Sequence, residues 1–182
     1  SLLFDPEVKL LTLVGLSGSG KTLLALAAAL EQLKGIGNPD VARYSKLIVT
    51  KPVQPVGKDI GFLPGTLQEK MEPWISPIKD NLNFLMGNKR GNAARVRGTK
   101  TDGNWNKTDN NAYLSLMQEK GLIEIEAITF IRGRSIPNSF IVIDEAQNLS
   151  MHELKTIITR VGDGTKIVLT GDIEQIDNVH VD

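Results

Sequence analysis

One stretch constrains this chain more than any other: Gly15-Leu-Ser-Gly-Ser-Gly-Lys-Thr22, set between an apolar run and a helix-forming run. A glycine-rich turn joining a strand to a helix lets successive backbone amides point inward, and the helix N-terminus adds partial positive charge. Such a turn cradles phosphate oxygens. The preceding run, Lys9-Leu-Leu-Thr-Leu-Val14, reads as a buried strand. The following run, Thr22 to Lys34, is rich in strong helix formers and is stopped by Gly35. In this P-loop pattern Gly15, Leu16, Ser17, Gly18, Ser19, Gly20, Lys21, Thr22 and Leu23 form the nucleotide cradle. Lys21 reaches the β- and γ-phosphates and the Thr22 hydroxyl ligates a cation, so ATP and Mg²⁺ are the expected ligands.

The remainder reads as alternating strands and helices. Lys46–Thr50 is a second buried strand, closed by Lys51-Pro52, and residues 55–65 form a Pro- and Gly-punctuated loop. Helical spacing returns from Trp74 to Met86, with Pro73 in its first turn. Residues 87–111 carry six Lys and Arg against two Asp among many Gly, Asn and Thr, which predicts a basic, flexible insertion. A helix is expected at Ala112–Lys120, then strands at Ile123–Ile131, Phe140–Ile143 and Lys166–Thr170. Between the last two, Ser150-Met-His-Glu153 is a capping box that starts another helix. This alternation predicts an α/β fold, a mainly parallel sheet with helices on both faces.

With 182 residues, the chain suits one domain, and its abrupt ends suggest a piece of something longer. It holds no cysteine, which excludes disulfides, thiolate metal sites and a Cys nucleophile. Its apolar runs are too short to span a bilayer, so no membrane partner and a cytoplasmic location are expected. Basic and acidic side chains balance at 21 each, so no whole-domain basic field for duplex DNA exists. A nucleic-acid contact must come from a local patch.

Phe140-Ile-Val-Ile-Asp-Glu-Ala-Gln147 places two carboxylates directly after an apolar strand. Adjacent acids in a turn are common, but downstream of a phosphate cradle they divide into two roles. Asp144 would hold Mg²⁺, and Glu145 is placed to polarise the attacking water. Lys166 to Gln175 is a third strand ending in polar residues, which brings Thr170, Asp172 and Gln175 toward the γ-phosphate region, since parallel strand ends gather at one crevice. Thr50 to Gly57 is read two ways, as a polynucleotide-phosphate contact or as a Pro-stiffened loop. Arg132 and Arg134 stay open between transition-state stabilisation, phosphate contact and a surface ion pair. Arg160 reads as a helix-end cation, the stretch 89–107 with Trp105 as a solvated loop or a nucleic-acid arm, and His152 and His180 as no metal site.

With these motifs in hand, the chain resembles the PhoH-like family of P-loop ATPases, related to superfamily 1 helicase cores. The resemblance runs from about Leu10 to Asn178. It rests on residues 15–22, 50–57, Gly61-Phe-Leu-Pro-Gly-Thr-Leu-Gln-Glu-Lys70, Phe130-Ile-Arg-Gly-Arg134, Ile143-Asp-Glu-Ala-Gln147 and Thr170-Gly-Asp-Ile-Glu-Gln175. It implies a RecA-like P-loop core, Asp144 and Glu145 as the Mg²⁺ and water-activating acids, and Gln147 and Gln175 as couplers of the γ-phosphate to a nucleic-acid track. It also implies Arg134 at a transition state or subunit interface, RNA or single-stranded nucleic acid as partner, ring-shaped homo-oligomers, and in some relatives an N-terminal PIN nuclease domain. The expected function is Mg²⁺-dependent ATP hydrolysis coupled to nucleic-acid binding or unwinding. A nucleotide-gated regulatory module is the alternative, followed by a small-molecule kinase, which Glu145 disfavours because it is placed to activate water.

Overall fold

The computed structural model describes residues 1–52, 67–96, 107–128, 135–159, 161–172 and Glu174, with 67–71, 88–96 and 107–110 described by backbone alone. Five strands form one sheet: β1 (Leu10–Val14), β2 (Lys46–Lys51), β3 (Ile123–Ala127), β4 (Ser139–Ile143) and β5 (Lys166–Gly171). Their order is β1-β5-β4-β2-β3, and every pairing is parallel. The fold is an α/β, RecA-like P-loop core.

β4 shows why a short, uninterrupted apolar run marks the middle of such a sheet. Every residue from Ser139 to Ile143 is buried, as expected for a strand covered on both faces. Side chains alternate between two cores. Phe140 and Val142 join Leu47, Val49 and Val168 on the face covered by helices α1 (Lys21–Glu31), α2 (Leu67–Val96) and α3 (Lys107–Glu119). Ile141 and Ile143 join Ile48, Ile167 and Leu169 on the opposite face, where Ile157 of helix α4 (Met151–Ile158) packs. Tyr44 meets Phe140 edge-on, with ring centroids 5.2 Å apart.

β1 departs from the sequence expectation. Among the described strands it is at the edge and its pattern alternates, with Leu10 and Val14 exposed at 46% and 54% and the intervening Leu11 and Leu13 packed against the core. A wholly apolar run reads as buried on both faces, but edge position is set by pairing partners that lie far along the chain. At the start of β5 the fully buried Lys166 donates to the carbonyls of Leu2 and Asp5 at 2.8 Å each. Burial pushes its ammonium below the ordinary lysine range, while Asp5 pulls it the other way.

Helix boundaries also shift. α1 ends at Glu31, before Gly35, because the buried Gln32 turns out of the helix and donates its side-chain amide to the carbonyls of Leu3 and Ala28. α2 holds Pro73 and Pro77 in its interior, where the sequence suggested Pro73 in a first turn. The same helix extends to Val96 and α3 begins at Lys107, so both ends of the 87–111 stretch are helical, and residues 97–106 lie outside the described residues. β3 covers Ile123–Ala127 of the expected Ile123–Ile131 strand, Ile128 is no longer part of it, and residues 129–131 lie outside the described residues.

The capping box at α4 is present. Ser150 Oγ accepts from the Glu153 amide at 3.2 Å, and Glu153 Oε2 accepts from the Ser150 amide at 3.1 Å. An eight-residue helix cannot hold itself in water, so the cap and the packing of Ile157 fix how the chain leaves β4. Ser150→Ala should lower stability by about 1 kcal/mol, read as a lower urea midpoint at an unchanged denaturant slope.

Candidate nucleotide site

Because all five strands are parallel, their C-terminal ends share one edge of the sheet, and the polar residues that follow them meet there. The loop after β1 turns through Gly18 and Gly20, at φ of 75° and 83°. Those are left-handed values that a side chain resists. Lys21 curls back into this loop, and its Nζ donates to the carbonyls of Gly15 and Leu16 at 2.6 Å and to Ser19 Oγ at 3.3 Å. Gly20 caps α1 without any side-chain hydrogen bond, so the first-turn amides are available to an anion. Ser17, Gly18, Gly20, Lys21, Thr22 and Leu23 line a cleft of about 340 Å³. Gly15, Leu16 and Ser19 contribute instead by holding Lys21.

Across the cleft, Asp144 follows β4. Its Oδ1 accepts from Thr22 Oγ1 and from Thr170 Oγ1, both at 2.6 Å, tying the start of α1 to the ends of β4 and β5. Two hydroxyls and a carboxylate therefore converge at one point. That oxygen set suits Mg²⁺, a hard cation that commonly takes one or two protein oxygens and completes its shell with phosphates and water. Thr22 and Asp144 are the residues that would hold it. Among the described residues no cluster of three His, Cys, Asp or Glu is present.

Glu145 adopts φ 52° and ψ 44°, a left-handed conformation for a residue other than glycine. Such backbone costs about 1–3 kcal/mol and persists where surrounding structure enforces it. The turn throws the side chain sideways, and Glu145 Oε1 accepts from Lys51 Nζ at 2.9 Å. Gln147 reaches the end of β5, its Oε1 accepting from the Asp172 amide at 3.2 Å. Gly171 leaves room for that contact, since a Cβ there would come within 3.2 Å of the same oxygen. The nearly buried Asp172 in turn accepts from the Glu174 amide at 3.0 Å.

The structure thus brings Lys21, Thr22, Asp144, Glu145, Gln147, Thr170 and Asp172 to one cleft. Gln175 and Arg134 lie outside the described residues, as do Arg132, Arg160, His180 and residues 53–66. Thr50 is fully buried with no partner for its hydroxyl, so its side chain cannot meet a polynucleotide phosphate. One residue and one pairing escaped the sequence reading. Asn81 of α2 lines the cleft, and a polar residue on a predicted helix carries no signal of that. Lys51 pairs with Glu145, which its position at the end of a neighbouring parallel strand could have suggested. No helix among the described residues is long and apolar enough to cross a membrane.

Comparison with known proteins agrees with this geometry. A family model described as PhoH-like protein matches residues 3–182. Protein PhoH2 of Bacillus subtilis (strain 168) is 48% identical over 181 residues, which is 100% of this chain and 36% of that protein. A PhoH-like protein of the same organism is 32% identical over 164 residues, 90% of this chain and 42% of the relative. Protein PhoH2 of Mycolicibacterium smegmatis is 35% identical over 181 residues, 99% of this chain and 35% of the relative. The chain spans less than half the length of these curated relatives.

Proposed function

The chain belongs to the PhoH-like family, and from that premise we propose that it binds ATP with Mg²⁺ in the cleft, hydrolyses it, and couples hydrolysis to RNA or another single-stranded nucleic acid. The observation that carries this reading is the meeting of Lys21, Thr22, Asp144 and Glu145 around one cleft. Lys21 and the first amides of α1 bind the β- and γ-phosphates. Thr22 and Asp144 hold the cation, which supplies neutralisation of charge on the phosphate oxygens. Glu145 orients the attacking water and draws its proton. A carboxylate beside the cation ligand favours water over a substrate hydroxyl as acceptor, and so hydrolysis over kinase chemistry.

The nucleic-acid part rests on the two glutamine-bearing motifs and on the way Gln147 ties the β4 turn to the end of β5. If γ-phosphate and strand are coupled, each must change the affinity for the other equally. Single-stranded RNA should therefore tighten ATP binding by the full-length protein, and if the strand also completes the catalytic arrangement turnover should rise on titration with it, less so at higher salt. Gln175→Ala should remove that rise while ATP binding persists. RNA stimulation intact in Gln175→Ala would discard this coupling route. No RNA effect in the parent would favour a nucleotide-gated regulatory module.

A further inference from the structure

The partner of Glu145 has no place in the mechanism so far. Lys51 closes β2, and β2 lies on the far side of β4 from β5 and β1. The P-loop follows β1, so the pair with Lys51 holds the Glu145 carboxylate toward the β2 edge of the cleft that it lines. The pair is 2.9 Å long, with side-chain exposures of 18% for Lys51 and 45% for Glu145. Glu145 makes that contact from a left-handed backbone. The amide of Asp144 also donates to the carbonyl of Thr50 at 2.9 Å, which holds the β2 and β4 ends side by side.

We infer that Lys51 is a positioning residue for hydrolysis: its ammonium restrains the Glu145 carboxylate at the β2 edge of the cleft, and a nucleic-acid phosphate that takes Lys51 frees Glu145 to turn toward the P-loop side. The inference rests on the ATPase reading above and adds to it a route from strand to catalytic base. An ammonium whose one carboxylate partner among the described residues is Glu145 is a natural contact for a phosphate oxygen. The exchange replaces one anion on Lys51 by another, so no buried charge is left alone. Because the pair is partly exposed, the restraint it holds is modest, and release should shift the Glu145 population on the order of fivefold.

The test measures ATP turnover and fluorescent-nucleotide affinity of the full-length protein, with and without a uridine homopolymer single strand. Lys51→Ala and Lys51→Gln should each raise strand-free turnover about fivefold at unaltered nucleotide affinity, and should lose stimulation by the homopolymer. Lys51→Arg, which can still pair with the carboxylate, should reverse most of that rise. The double variant Lys51→Ala, Glu145→Gln should be as slow as Glu145→Gln alone. Strand-free turnover at or below the parent's in both neutral variants overturns the restraint and leaves the ATPase reading standing. A rise that survives in the double variant also overturns it, because the effect would not pass through Glu145. A parent that binds nucleotide and never turns it over removes the ATPase reading and this inference together.

Discussion

Lys21→Ala should weaken ATP binding by about 10²–10⁴-fold, more than any other single change in the cradle. Hydrogen bonds to charged groups contribute about 1.5–3 kcal/mol each, and an ammonium facing both the β- and γ-phosphates makes at least two. At 1.4 kcal/mol per decade those contacts amount to two to four decades of affinity. The fold itself should tolerate the change, because Lys21 donates to the exposed loop at Gly15, Leu16 and Ser19 rather than to the core. Isothermal titration with a non-hydrolysable ATP analogue, beside a melting curve, separates the two effects. Parental affinity in a folded Lys21→Ala protein would remove the phosphate-cradle assignment.

Glu145→Gln should leave ATP and Mg²⁺ bound and slow hydrolysis by about 10²–10⁴-fold, the usual worth of a positioned acid or base. The separation is possible because the two acids do different things. Asp144 is held by Thr22 and Thr170, and neither contact involves Glu145. Single-turnover measurement of phosphate release, with nucleotide affinity measured in parallel, reads both consequences. Parental turnover in Glu145→Gln would mean that another group organises the water. Asn81, on the α2 wall of the same cleft, is the first to examine in that event.

Much of the site was legible because its parts are local. A strand, a glycine turn and a helix in succession define the cradle at residues 15–23. An apolar run ending in adjacent acids defines Asp144 and Glu145, and the Ser150–Glu153 box starts α4 from four consecutive residues. Where the reading failed, the deciding contact was remote. Apolar content called β1 buried, yet its neighbours leave Leu10 and Val14 open. Thr50 stayed open as a phosphate contact, and the tertiary structure closes that option: both faces of the sheet are covered at β2, so Leu47 to Thr50 are all buried.

The sequence by itself determined the chemical inventory of this protein: the phosphate cradle, the acid pair, the capped helix behind it, and an α/β layout with parallel strands. Each follows from residues close along the chain, whose backbone geometry and spacing act without help from elsewhere. Only the tertiary structure decided which of these meet. Thr22 and Asp144 are 122 positions apart and Lys51 and Glu145 are 94 apart. Joining them depends on β5 inserting between β1 and β4, and on β2 flanking β4. That order is chosen by packing two apolar faces at once and by the cost of closing long loops, neither of which any short window of residues contains.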